Sequence, residues 1–401
     1  MMCAVRRLPV ALAGLASLAV AAVAAPAAGG AAPIVRTVVA PGVLDGPGGI
    51  ALDATGNLFV ADTGDCRVLV LPARTGTLDG LRLRAGRAAT FAGGTCGGPG
   101  TIGHPSGVAV DRQGDLFIAE ATAQLVQEVR AGSRRAFTVA GTGTAGFNGD
   151  GLVATASELD QPTGAAVDGA GDLFIADTAS CRVRVLPAAD TTLFGQAMTA
   201  GHLYTVAGTG VCGSAGQGGP LRSAQLWNPV AITVDGAGDL LVADNGDQSV
   251  LLAPASAGSY YGTAVGAGDI GVVVGGTGGY GPYVADGLAA NGPTAELNDP
   301  RGLAIGPTGA LFVSDGFMHV VRVVPSTTGT LLGRTMQAGD LYTAAGALPV
   351  ATAEGDGDGT RWVHTRTETP VGVVVSSSGS LFYADAGLGA VRALATGAGA
   401  P

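Results

Sequence analysis

The residues able to do chemistry in this 401-residue chain are few, and their types narrow the reactions open to it. Histidine occurs only at positions 104, 202, 319 and 364, whereas a catalytic zinc needs three protein ligands converging on one point. All 21 basic residues are arginine, which excludes a lysine Schiff base or a lysine phosphate cradle. No Gly-x-Ser-x-Gly elbow marks a hydrolase nucleophile. Carboxylates gather in three Gly/Asp loops: Phe147 to Gly151, Val284 to Gly287, and Glu354 to Gly359. Asp-Gly pairs suit tight turns, and calcium needs six to eight oxygens in one place. Glu354, Asp356 and Asp358 are the calcium candidates, and no other cofactor is implied.

Binding is better served than catalysis. Six prolines recur at 47, 105, 162, 229, 300 and 370, and two residues before them stand Asp45, Gly103, Asp160, Trp227, Asn298 and Glu368. Five of these six are polar or glycine, so the position is expected to face solvent. Trp227 is then an exposed aromatic of the kind that anchors interfaces, in the company of Asp45, Asp160 and Glu368. The competing reading folds its ring back over its own loop. Arg301 is the one charged residue directly after one of these six prolines. These five residues define the expected binding face.

The elements that must position them follow from a phrase repeated six times, beginning at Gly49, Gly107, Gly164, Ala231, Gly302 and Gly372, with GAAVDGAGDLFIADTASCRVRVL as a clear copy. Apolar residues alternate with period two between Gly/Asp/Ala turns, which gives three short antiparallel strands, a, b and c, per copy. A fourth strand, d, follows the first five copies at 88–93, 136–141, 203–208, 270–275 and 341–346. The sixth copy has none, but residues 34–40 (IVRTVVA) supply its counterpart ahead of the first copy. The expected fold is all-β: a six-bladed propeller of four-stranded blades over 34–395, closed by the N-terminal strand, with a short tail at 396–401. The b-to-c turns and d-to-a connections then emerge on one face, the a-to-b and c-to-d loops on the other.

The Pro-x-Gly-Val-Ala-Val-Asp, Gly-Asp-Leu-Phe-Ile-Ala-Asp and Arg-Val elements resemble the NHL repeat, and Tyr-Thr-Val-Ala-Gly-Thr-Gly is similar to NHL propellers of secreted bacterial proteins and of teneurins. The resemblance implies a six-bladed propeller used mostly for binding, on a fold that hosts many functions. The NHL-like zinc lyases of the peptide-amidating type place zinc-ligating histidines directly after the blade proline. Here those positions hold Gly48, Ser106, Thr163, Val230, Arg301 and Val371. An Asp-x-x-x-x-Arg element survives at Asp62 with Arg67 and Asp177 with Arg182, where any bridge would be local and structural.

Cys66 and Cys181 precede strand c, and Cys96 and Cys212 lie just beyond strand d of the same copy. Antiparallel c and d strands bring those points together, which predicts Cys66–Cys96 and Cys181–Cys212 bonds. Each closes a loop of about 30 residues, worth about 3–4 kcal/mol in the chain-entropy model. Residues 1–30 read as a cleaved export signal: Arg6 and Arg7, an apolar Ala/Leu/Val run, then small residues. A secreted location would permit the disulfides, and no membrane span is expected after cleavage. The net charge of −10 opposes nucleic-acid binding, which needs a basic stripe. The expectation is a secreted, monomeric, non-enzymatic module for protein or glycan partners, with a metal-dependent lyase or hydrolase of the axial channel as the alternative.

Overall fold

The computed structural model describes residues 35–96, 101–276, 286–346 and 367–395. Export signal, calcium candidates Glu354, Asp356 and Asp358, and tail all lie outside these residues. Six antiparallel sheets form the expected blades. Their a strands are Pro47–Leu52, Pro105–Val110, Pro162–Val167, Pro229–Val234, Pro300–Ile305 and Pro370–Val375. Strand b lies beside each: Leu58–Asp62, Leu116–Glu120, Leu173–Asp177, Leu240–Asp244, Leu311–Asp315 and Ser380–Asp385. Strand c follows at Arg67–Leu71, Leu125–Val129, Arg182–Leu186, Ser249–Ala253, Val320–Val324 and Ala390–Ala395.

The fourth strand of blades 1 to 5 is Ala89–Gly93, Ala136–Ala140, His202–Ala207, Gly271–Gly275 and Asp340–Ala345. Blade 6 takes Val35–Val39 from the other end of the chain, with Val35 opposite Leu394 and Thr37 opposite Arg392. Blades 3 and 5 gain a two-residue fifth strand, Leu152–Val153 and Leu288–Ala289, on their outer edge. The c-to-d loops of blades 1, 3, 4 and 5 each fold into a small hairpin, such as Thr191–Leu193 with Gln196–Met198.

Burial explains why both faces of these sheets are apolar. Every residue of the b strands in blades 1 to 5 is buried, because each sheet is sandwiched between two neighbours rather than facing water. Six apolar clusters fill the six seams. Phe174, Val185 and Val206 of blade 3, for instance, pack with Leu240, Val242 and Leu251 of blade 4. The N-terminal strand serves two of these seams: Val35 packs with blades 5 and 6, and Val38 and Val39 with blades 6 and 1.

Around the axis the a strands approach so closely that the repeated glycine is required. A Cβ on Gly164 would lie 2.7 Å from the Val230 carbonyl oxygen, and one on Gly372 would lie 2.6 Å from that of Gly48. The latter contact closes the ring between blades 6 and 1. Blade 4 carries Ala231 in place of the glycine. The seam between blades 4 and 5 is therefore built differently, and the polar groups of the site collect there.

Candidate functional site: the axial mouth on the proline face

Each b strand ends on an acid: Asp62, Glu120, Asp177, Asp244, Asp315 and Asp385, every one at most 1% exposed. Each carboxylate accepts the backbone N–H of the residue two before its own blade's proline. The distances are 2.7 Å from Asp45, 2.5 Å from Gly103, 2.6 Å from Asp160 and 3.0 Å from Asn298. Trp227 donates to both oxygens of Asp244 at 2.8 and 2.9 Å, and Glu368 to both of Asp385 at 3.2 and 3.1 Å. In return, b-to-c turn N–H groups donate to the same loops, Gly64 to Asp45, Ala179 to Asp160 and Gly246 to Trp227. The pre-proline loops are thus fastened to the b-to-c turns, and together they build the rim of one face.

Burial disfavours the charged form of these acids. It pushes Glu120, Asp244 and Asp315 up to about 7 and Asp177 up to about 6, against the opposing pull of the backbone N–H bonds. Asp62 and Asp385 are raised for the same reason.

Inside the rim opens a mouth of about 430 Å³ on the propeller axis. The residue after every blade proline lines it: Gly48, Ser106, Thr163, Val230, Arg301 and Val371. Its hydroxyls are already engaged across seams. Ser106 Oγ donates to the Pro162 carbonyl at 3.2 Å, and Thr163 Oγ1 to that of Val230 at 2.9 Å.

The distinctive chemistry lies between blades 4 and 5. Arg301 Nε donates to Asp299 Oδ2 at 2.5 Å, and Asn245 Nδ2 donates to Asp299 Oδ1 at 2.6 Å. The Asp299 N–H is held by Gln248 Oε1 at 2.6 Å, and Asn228 reaches Asn245 at 3.3 Å. Asn228 and Asp299 have φ of +65° and +77°, in the left-handed region that costs energy for non-glycine residues. Among the described residues Arg301 is the sole cation lining the mouth, with 45% of its side chain exposed.

Trp227 lies just outside, 52% exposed, with its ring lying over the backbone of Gly246; a Cβ on that glycine would come 2.5 Å from the indole Cγ. The ring is therefore both folded onto its own blade and half open to solvent. Arg301 lines the mouth, whereas Trp227, Asp45, Asp160 and Glu368 occupy equivalent rim positions on blades 4, 1, 3 and 6 and do not line it. The expectation that this position always faces solvent fails at Asn298, which is 4% exposed. On the adjoining blade Phe317, 66% exposed, adds a second aromatic, fixed by its N–H to the Asn298 carbonyl.

Other sequence features resolve as structure. Arg67 pairs with Asp62 at 2.7 Å as expected. Asp177, however, pairs with the buried Arg184 at 3.5 Å, while Arg182 stacks on Phe147, 3.8 Å from its centroid. Arg184 stands where blade 1 has Leu69, which is why the exchange occurs in blade 3 and not in blade 1. Asp150 accepts from Thr205 N and Oγ1, both at 2.9 Å, and pairs with Arg184 at 3.2 Å. Asp286 does the same for Thr343, Arg322 and Arg334. These Gly/Asp loops are ion-paired clasps across the outer strands.

The disulfides join Cys66 to Cys96 and Cys181 to Cys212, with Cα atoms 5.2 and 5.3 Å apart. On the opposite face, Asp53, Asp111, Asp168 and Asp235 line the other end of the axis. Each caps its own a-to-b turn, as Asp111 does for the N–H groups of Gln113 and Asp115. Among the described residues no group of three or more His, Cys, Asp or Glu is placed to hold a metal, and no helix is long and apolar enough to cross a membrane.

The six acid-clamped blades around one axial mouth define a six-bladed β-propeller. An NHL-repeat family model matches residues 44–71, which span the a, b and c strands of blade 1, and the other five copies fold the same way. Blade 1 thus matches the NHL repeat within a six-bladed propeller. It is 32% identical over 149 residues to Protein SUPPRESSOR OF QUENCHING 1, chloroplastic, of Arabidopsis thaliana, a match covering 35% of this chain and 14% of that protein. The chain therefore spans about a seventh of the curated relative it matches. Similar solved structures include an auxiliary nutrient binding protein from Bacteroides thetaiotaomicron VPI-5482, with TM-score 0.58 and 12% identity over 91% of this chain and 76% of that one. A gluconolactonase from Xanthomonas campestris has TM-score 0.53 and 15% identity, over 91% of this chain and 89% of that one. At these identities the likeness is one of fold.

Proposed function

We propose that this chain is an exported, monomeric, non-enzymatic binding module that takes a protein or glycan partner on its proline face. The axial mouth receives a polar group of that partner, and Trp227 supplies aromatic contact at its edge. The observation that carries the reading is the Asn228–Asn245–Asp299–Arg301 chain. It fixes planar polar groups toward an open mouth while the neighbouring hydroxyls are spent on seams. Arg301 stands at a position where an imidazole would be needed for a zinc site of the post-proline type, and an arginine does not ligate zinc. The two disulfides support a location outside the cytoplasm, where such bonds persist, and the leader-like residues 1–30 agree with it.

The test is capture of partners from the producing organism's envelope and medium, using immobilised wild-type chain beside Trp227→Ala and Asn245→Ala. The expected result is a partner retained by wild type and lost from both variants. Stoichiometric zinc or another divalent metal in the purified protein, together with turnover of a lactone or ester, would overturn the reading in favour of axial-channel catalysis.

A further inference from the structure

The geometry points to an acidic saccharide as the ligand of the axial mouth, its carboxylate held by Arg301 and its sugar face resting on Trp227. This inference rests on the binding reading above and names the ligand class. Arg301 offers a guanidinium whose Nε is already taken by Asp299, so the two Nη groups remain for an incoming acceptor, in the planar fork that matches a carboxylate. The fork is held in place: Asp299 is gripped by Asn245 through one oxygen and by Gln248 through its N–H, and the pair lies on the backbone of Gly316. A Cβ on that glycine would come 2.6 Å from Asp299 Oδ2 and 3.0 Å from Arg301 Nε. Less side-chain freedom is then lost on binding than a mobile surface arginine would lose.

Arg301, Asp299, Asn245 and Asn228 form one hydrogen-bonded chain along the mouth, and Asn228 follows the rim residue Trp227, whose half-exposed ring lies on Gly246. Carboxylate, carboxamide and guanidinium groups next to an aromatic face match the alternation of hydroxyls and C–H faces on a sugar ring. The Asp299 charge and the −10 of the whole chain oppose a polyanion bound by bulk attraction. A single carboxylate met by one positioned arginine avoids that penalty. The mouth, at about 430 Å³, has room for one or two sugar rings and little more.

Calorimetry on the signal-free chain would compare a galactose trimer carrying a single galacturonate, a galactose trimer and a tri-glutamate peptide. The uronate trimer is expected to bind at least about tenfold more tightly than the neutral trimer. Arg301→Gln should erase that preference while leaving the thermal midpoint close to wild type. Trp227→Ala should weaken both sugars about tenfold and keep the preference, since stacking is blind to the carboxylate. If Arg301→Gln fails to fold, Arg301→Lys, which keeps the charge without the fork, should still lose most of the preference. Equal binding of the two sugars, a preference that survives at position 301, or no binding of the uronate would overturn the proposal. Tighter binding of tri-glutamate, lost in Arg301→Gln, would overturn the saccharide assignment and leave the mouth as a binding site. The partner capture described above decides that broader reading separately.

Discussion

Replacing Asp244 by asparagine isolates the effect of the buried acids. Asp244 is fully buried and its carboxyl is raised from 3.8 to about 7 because burial strips water from the charged form; the Trp227 N–H opposes this, and the nearby Asp247 adds to it. Between about pH 4 and pH 7 the folded chain therefore holds a proton that the unfolded chain has released. In that window stability falls as pH rises. A shift of about three units corresponds to at most about 4 kcal/mol at 1.36 kcal/mol per unit; backbone donors and relaxation reduce the figure, and about 1–2 kcal/mol is the expected share of this one site. Glu120, Asp177 and Asp315 act in the same direction, so wild type should be more stable at pH 5 than at pH 8 in urea unfolding followed by circular dichroism. Asp244→Asn keeps an acceptor for the Trp227 N–H and removes the charge. It should gain about 1–2 kcal/mol over wild type at pH 8, change little at pH 5, and so flatten the pH slope. A wild-type urea midpoint that rises from pH 5 to pH 8, or a variant with an unaltered slope, would refute the reasoning.

Three further outcomes follow from the packing. Gly164→Ala places a methyl against the Val230 carbonyl and should cost about 1–3 kcal/mol; Gly236→Ala, which meets nothing within 4 Å, should be close to neutral in the same denaturation assay. Removing the Cys181–Cys212 bond by a double serine substitution should lower unfolding free energy by about 3–4 kcal/mol in the loop-entropy model for a separation of 31 residues, and a loss under about 1 kcal/mol would count against a purely entropic origin. Asp150→Ala leaves the buried Arg184 with Asp177 as its remaining carboxylate partner among the described residues and frees two Thr205 donors, so it should destabilise by about 1–3 kcal/mol; calcium added to wild type should not reproduce or offset that change.

The blades were legible because a radially packed sheet repeats its demands. Every b strand must be apolar on both faces, every a strand must present a small residue to its neighbour, and the fourth strand of blade 6 could be located by its absence. The cysteine pairs were legible for the same reason, since strand order alone brings 66 to 96 and 181 to 212. What the repeat concealed was the use of its own consensus. The acid ending each b strand reads in one dimension as half of a local Asp-to-Arg pair at Asp62 and Asp177, and its partner, a backbone N–H 16 or 17 residues earlier, carries no residue type that could betray it. The recurrence of an acid at all six copies, Glu120 included, was the available signal.

Spacing alone also misled in blade 3: Arg182 stands at the expected spacing from Asp177, yet Arg184 reaches it, because blade 3 carries an arginine at the position of Leu69 in blade 1, between Asp177 and Asp150. The site is the opposite case, legible only in its departures. Arg301, Asn245 and Trp227 break positions that other blades fill with smaller or differently charged residues, and they do so beside the one seam where Ala231 replaces the axial glycine. A scaffold that needs the same residue six times has no structural use for a different one. The concentration of such exceptions at the blade 4–5 side of the mouth is therefore the physical argument for placing recognition there.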